Sequence, residues 1–205
     1  MLKNSLIILL PFAILFGSVY YVAFDLDFHE LEFNRTGVSQ AYGNDFAMNL
    51  SSNLLNYYSD EEPLNESYYT EKEISHLEDV KALSKEFLAA IMVSIILLGL
   101  SVYINRSSAL KPLMLGSILL IIMVVALSIV DFSVLFEEFH LASFDNDYWQ
   151  LNPDEHILVN VFTFEFFKDL FTRAAFISMI IALLSLLACI IAIQKKSIKF
   201  KNQLS

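Results

Sequence analysis

The chain has 205 residues, 56% of them hydrophobic and 18% charged, with a formal net charge of −10. That composition excludes an ordinary soluble domain, and the acidic balance excludes a nucleic-acid binder. The single cysteine, Cys189, permits no internal disulfide and reads as a small apolar packing residue.

Four stretches contain no Asp, Glu, Lys or Arg: 4–24, 87–105, 112–130 and 174–194. Each runs for about 19 to 21 residues, the length that crosses a hydrocarbon core of about 30 Å. The predicted fold is therefore mainly α and integral to a membrane. It has four transmembrane helices and an extracytoplasmic cap of amphipathic helices with one short strand, in a single membrane domain over 1–205. Lys3, Arg106, Lys111, Lys195, Lys196, Lys199 and Lys201 fall on one side of these spans. Lys and Arg accumulate in cytoplasmic loops, so the loop 106–111, the tail 195–205 and both termini are expected in the cytoplasm. Every Asp and Glu, and all four histidines, fall in the two outer segments, 25–86 and 131–173.

The first span follows Lys3 like a signal peptide. Its apolar run is long for one and no small-x-small cleavage site follows, so it is read as a retained anchor. In the first outer segment, "FDLDFHELEF" alternates apolar and polar residues at Phe24, Leu26 and Phe28, slips by one, and resumes at Leu31 and Phe33. This predicts a short strand with a bulge. "NDFAMNLSSNLLNYY" predicts a short amphipathic helix. Tyr20, Tyr21, Tyr57, Tyr58, Tyr68, Tyr69, Tyr148 and Trp149 suit a belt at the membrane–water boundary.

Thr70 followed three residues later by Glu73 is a capping box, flanked by Tyr69 and Ile74 at the positions of a hydrophobic staple. The helix that starts there runs into the second span and carries His76. At 100° per residue, His76 shares an arc with Val80, Leu83 and Phe87, while Glu78, Ala82 and Glu86 point away. An imidazole on an apolar arc most often packs its ring and donates one hydrogen bond. It also suits a general base, because burial keeps it neutral near pH 7. Asp79, one turn on, is placed to orient its ring.

Glu137, Glu138 and His140 follow the third span by about two turns. If that helix continues outward, His140 stands at the same depth as His76, and the two form a proton relay for acyl transfer; otherwise each histidine caps its own helix end. A zinc site is the weaker reading: "HELEF" at His29 is not HExxH, and no two histidines stand four apart. No serine sits in a G-x-S-x-G context. Asn152-Pro153 with Glu155 predicts a helix start that places His156 in a first turn, where its imidazole is structural or exposed. No metal or cofactor is expected.

The string E-x-x-H-L-x-D-V-K, here Glu73, His76, Leu77, Asp79, Val80 and Lys81, is followed after a transmembrane hairpin by Phe139-His140 and then by F-x-N-x-x-W-x-L, here Phe144, Asn146, Trp149 and Leu151. With four spans and two outer segments, the whole chain resembles the bacterial lipoprotein intramolecular transacylases. It departs from the family's pattern at His156, where an aspartate is common, and at Thr163, where a proline is. The resemblance implies an enzyme of the cell membrane whose partners are membrane lipid and a diacylglyceryl-modified lipoprotein. It would move the sn-2 acyl chain to the α-amino group of the N-terminal cysteine, giving a lyso-form lipoprotein. His76 and His140 match as the catalytic pair, one taking a proton from the amine and the other delivering one to the departing alkoxide, in either order. Asp79, Asn146 and Trp149 are the candidates for orienting His76 or stabilising the oxyanion. The residues alone also fit a noncatalytic sensor of outer pH, or a phospholipase-like hydrolase. The oligomeric state and the roles of His29 and His156 stay open.

Overall fold

A computed structural model describes residues 2–106 and 108–202. The side chains of Lys3, Lys199 and Lys201, three of the cations that orient the chain, lie outside the described ones, as do residue 107 of the predicted loop and 203–205 of the tail. Nine α-helices are described: α1 Leu2–Ala23, α2 Leu26–Thr36, α3 Val38–Tyr42, α4 Asn44–Tyr58, α5 Glu71–Ile104, α6 Leu110–Ile129, α7 Phe132–Ser143, α8 Ile157–Val161 and α9 Phe164–Asn202. Four of them, α1, α5, α6 and α9, are long and apolar enough to cross a membrane. The protein is a multi-pass membrane protein. Its contacts divide it into two compact units.

The first unit comprises the chain up to Val19, Ala89–Ile129, and the chain from Ala174 onward. Leu15, Leu120, Val124, Ala175 and Ala182 form its buried core, packed about by Ile14, Ile121, Met123, Leu127 and Met179. A Cβ on Gly116 would lie 3.0 Å from the carbonyl oxygen of Leu6, so this glycine is what lets α6 approach α1. Several hydroxyls in these helices find partners within the protein, as a bilayer favours. Ser94, Ser117 and Ser128 donate to carbonyls four residues back, and Ser117 also pairs with Ser185 at 2.9 Å. The outward faces carry exposed Met92, Ile96, Leu100, Ile122, Leu183 and Leu187, a surface that lipid solvates.

The second unit comprises Tyr20–Leu88 and Val130–Arg173. Here the predicted strand is corrected. Residues 26–36 are helix, with the Asp25 side chain accepting from the Asp27 N–H at 3.2 Å and Gly37 closing the end in the left-handed region at φ 85°. The buried positions are Phe28, His29, Glu32 and Phe33. Their spacing of one, three and one is a helical face, and the slip in the alternation was that 3.6-residue period sampled over ten residues. The predicted amphipathic helix is α4, which buries Ala47, Leu50, Ser51 and Leu54 at intervals of three, one and three.

Two further expectations change. The third span does not continue outward: α6 stops at Ile129, and Asp131 caps a new helix, α7, by accepting from the backbone N–H of Ser133 at 2.9 Å. Asn152-Pro153 starts a turn and not a helix, because the Asn152 side chain accepts from Asp154 N–H and its carbonyl from Glu155 and His156 N–H. His156 therefore precedes α8 as its N-cap residue. Tyr69 leaves the predicted aromatic belt, since its ring is buried.

Candidate active site

The capping box at the start of α5 forms as its spacing predicts. Thr70 N–H and Oγ1–H donate to Glu73 Oε2 at 2.7 and 2.9 Å, and Glu73 N–H donates back to Thr70 Oγ1 at 3.3 Å. Glu73 Oε1 accepts the N–H of Leu158, the second residue of α8, at 2.8 Å, which ties the start of α5 to the second outer segment. One turn further, His76 and Leu77 are buried while Glu78, Ala82 and Glu86 are exposed, as the helical arc predicts. α5 has 34 residues, far more than a bilayer needs, so its charged first four turns stand outside the apolar part that begins at Phe87.

His140 lies in the last turn of α7, and its ring centroid is 6.2 Å from that of His76. Phe144 touches both rings, at 5.3 Å from His76 and 5.8 Å from His140, and the Trp149 indole lies 4.9 Å from His140 at 32°. The structure thus brings together four of the residues singled out in the sequence. Burial and the neighbouring His140 push the proton affinity of His76 down to about 4, against a small opposing pull from Asp79. Burial lowers that of His140 as well, and the Phe136 carbonyl opposes this. Both imidazoles are therefore neutral near pH 7.

Hydrogen bonding fixes one tautomer. His140 Nδ1 lies 2.6 Å from the Phe136 carbonyl oxygen, which can only accept, so Nδ1 carries the proton and Nε2 presents a lone pair. His76 Nδ1 is buried with no hydrogen-bond partner. Asp79 was the expected orienter of His76, but its Oδ2 accepts from Asn146 Nδ2 at 2.9 Å, across 67 positions. This bond ties Asn146 to α5.

The other two histidines lie apart from this pair. His29 Nε2–H donates to the Ala23 carbonyl at 2.9 Å, which leaves Nδ1 to accept from Ser51 Oγ–H at 2.5 Å. This resembles an activated serine, but His29 and Ser51 are buried within α2 and α4, and Phe33, Phe162 and Phe166 pack around the imidazole. No substrate reaches such a hydroxyl, so the pair is a core hydrogen bond. His156 is buried and packs its Nδ1 against Asn152, closing its own turn. Among the described residues no three His, Cys, Asp or Glu side chains form a group able to hold a metal ion. Sequence reasoning missed the Glu73–Leu158 bond and a contact between Lys72 and Gln150. Each involves a backbone group 78 or more positions away, which leaves no local pattern to read.

Four helices able to span a membrane, and a helical unit that sets two imidazoles 6.2 Å apart among aromatic rings, define a polytopic membrane protein. The model of the family "Lipoprotein intramolecular transacylase Lit" matches residues 4–167, and the chain belongs to that family. It is an acyltransferase, and the resemblance seen in its motifs holds. The solved structure of the membrane integral lipoprotein intramolecular transacylase from Bacillus cereus superposes with a TM-score of 0.87 at 20% identity, over 96% of each chain. Two variants of that protein, with alanine or arginine replacing one histidine, give TM-scores of 0.82 and 0.76 at 19% and 18% identity, over 96% of this chain and 94% of theirs. These likenesses establish a shared fold. No curated protein matches the chain in sequence.

Proposed function

We propose that the chain, acting as one membrane domain, transfers the sn-2 acyl group of a diacylglyceryl lipoprotein to the α-amino group of its N-terminal cysteine, with His76 and His140 as the catalytic pair. The observation that carries this reading is the juxtaposition of the two imidazoles, 6.2 Å between centroids, on helices drawn from different outer segments. The amine attacks the ester carbonyl and loses a proton to His140 Nε2. The tetrahedral adduct collapses, the C–O bond to glycerol breaks, and the imidazolium returns the proton to the sn-2 alkoxide. An amide and a free hydroxyl result, no water is consumed, and the mass of the lipoprotein is unchanged.

This order makes His140 the base. Its Nδ1–H···O=C bond to Phe136 supports the imidazolium, whereas His76 holds a proton poorly and acts through a neutral N–H donated to the developing oxyanion. An α-amino group with a pKa of about 8 needs only modest help to lose its proton, so the poor leaving group is the step that needs the acid. Both reacting groups belong to one molecule, and holding them together supplies much of the remaining barrier reduction. The cations at Arg106, Lys111, Lys195 and Lys196 support cytoplasmic termini and a site at the outer leaflet, where a lipoprotein's cysteine sits.

The test is mass spectrometry of an N-terminal lipopeptide from a reporter lipoprotein, made in a host without other N-acylation. The expected product has unchanged mass, with fragments that place one acyl chain on the cysteine amine, and it disappears in His76→Ala and His140→Ala. A free-amine diacylglyceryl peptide in the presence of folded protein would favour a sensor. Loss of one acyl mass would favour a lipase.

A further inference from the structure

Segment 144–151 leaves α7, passes the two imidazoles, and is fastened to α5 at two points. Asn146 Nδ2 donates to Asp79 Oδ2 at 2.9 Å, and Lys72 Nζ donates to the Gln150 carbonyl at 2.8 Å. Lys72 and Asp79 stand two turns apart on α5, with His76 between them. The orientation of the Asn146 amide is fixed from both ends, because its Oδ1 accepts the N–H of Tyr148 at 3.0 Å. Bonds from Gln150 N–H to Asp147 O and from Leu151 N–H to Trp149 O stiffen the rest of the segment. The two rings it carries against the imidazoles are Phe144, which meets both, and Trp149, which lies over His140 at 4.9 Å, tilted by 32°.

We propose that 144–151 is a strap over the imidazole pair, that the Asp79–Asn146 bond is its latch with Lys72–Gln150 as a second, and that Asp79 and Asn146 are positioning residues for the transfer. This rests on His76 and His140 being the catalytic pair. Asn146 is exposed, and Asp79 is half-exposed. A bond at such a site adds little to the stability of the fold, but it decides how often Trp149 lies against His140. Closing the strap lays Trp149 over the face of His140, which walls that ring from water and holds the in-plane lone pair of Nε2 in one direction, and opening it frees the ring to turn.

The two side chains differ in a way that permits an exchange test. Asp79→Asn keeps an acceptor oxygen for the amide at 146, so kcat should stay within about threefold of the native chain. Asn146→Asp sets two carboxylates against each other, and kcat should fall about tenfold or more, with KM and melting temperature little changed. The double variant Asp79→Asn/Asn146→Asp restores a donor opposite an acceptor and should recover most of the lost kcat. Trp149 is the chain's one tryptophan, so its fluorescence reads the strap directly. Acrylamide quenching should rise in Asn146→Asp and return to the native level in the double variant.

Equal transfer and equal quenching in all four proteins would overturn the strap. So would a loss in Asp79→Asn that the second substitution fails to rescue, which would mark Asp79 as acting on His76 itself. If the native chain transfers no acyl group, the catalytic reading of the histidines fails. In that case the quenching pattern alone decides whether the strap exists.

Discussion

Glu73 Oε1 accepts the backbone N–H of Leu158 at 2.8 Å, across 85 positions, while its Oε2 caps the helix to which it belongs. One carboxylate therefore sets both where α5 begins and where α8 sits, one turn before His76. It is fully buried, so each of its oxygens must find a donor. Glu73→Ala leaves the N–H groups of Leu158 and Thr70 without partners, at a cost of about 2–4 kcal/mol. Glu73→Gln turns one acceptor into a donor facing a donor and should lose less than half as much. Melting curves in detergent check this, and an unchanged midpoint for Glu73→Ala would show that water replaces the carboxylate freely.

Arg35 joins α2 to α9. It bonds Glu32 Oε2 at 2.8 Å and pairs with Asp169, and the Glu32 side chain is only 4% exposed. Burial raises the proton affinity of the Glu32 carboxyl and Arg35 opposes it. Arg35→Met removes that opposition and leaves a buried carboxylate unpaired, at a cost of about 3 kcal/mol near pH 7. With its folded pKa raised further, Glu32 would contribute stability at low pH that is lost as pH rises through that value. The deficit of Arg35→Met relative to the native chain should accordingly shrink on acidification, and Arg35→Met/Glu32→Gln should recover most of it at pH 7. A deficit independent of pH, with no rescue, would mean that the guanidinium acts through packing alone.

Much of this architecture is legible in the sequence. The four spans are written as runs without charge, Thr70 and Glu73 announce the start of α5, and the arc containing His76, Val80, Leu83 and Phe87 is less exposed than Glu78, Ala82 and Glu86 opposite it, with His76 alone of the four buried. The misread segment, 24–33, is short and carries its helical period beside an accidental alternation. What decides it is the Asp25 cap and Gly37, the second of which lies beyond the window. At the candidate site, helical phase and the family's motif together point to the two histidines, but nothing local reveals that Asp79 bonds Asn146 and not His76. That choice is made by the course of the chain after α7, and by a helix break at Asp131, where the charge pattern shows only the end of a span.

The buried His29–Ser51 bond makes stability depend on pH with a definite sign. Burial lowers the proton affinity of His29, outweighing the Ala23 carbonyl and Asp25. An unfolded histidine titrates near pH 6.5, so below that value the unfolded chain binds a proton that the folded chain refuses. The stabilisation is complete above about pH 6.5 and is lost as pH falls toward the folded value; His76 and His140 are depressed in the same sense. Ser51→Ala strands His29 Nδ1 and should lower the midpoint at pH 7.5. His29→Leu/Ser51→Ala removes both partners, so it should lie nearer the native chain there and fall less steeply toward pH 5. If the double variant keeps the native slope, the acid sensitivity resides wholly in other groups.

Gly116 and Gly99 make a matched pair of tests within the spanning helices. A Cβ at Gly116 meets the Leu6 carbonyl oxygen at 3.0 Å and the Leu10 side chain at 3.2 and 3.3 Å, whereas one at Gly99 meets nothing within 4 Å. In lipid no hydrophobic force draws helices together, and close packing at small residues does that work instead. Gly116→Val must push α1 away from α6, because the atom in its path is backbone and cannot turn aside. That forfeits the contacts around Leu6 and Leu10, both of which are buried, at a cost of about 1–3 kcal/mol. Gly99→Val enters open space and replaces the poorest helix former but proline with a better one, so it should leave the midpoint unchanged or slightly raised. Melting of both variants in the same detergent checks the pair. An equal response at the two positions would mean that α1 and α6 do not depend on their close approach.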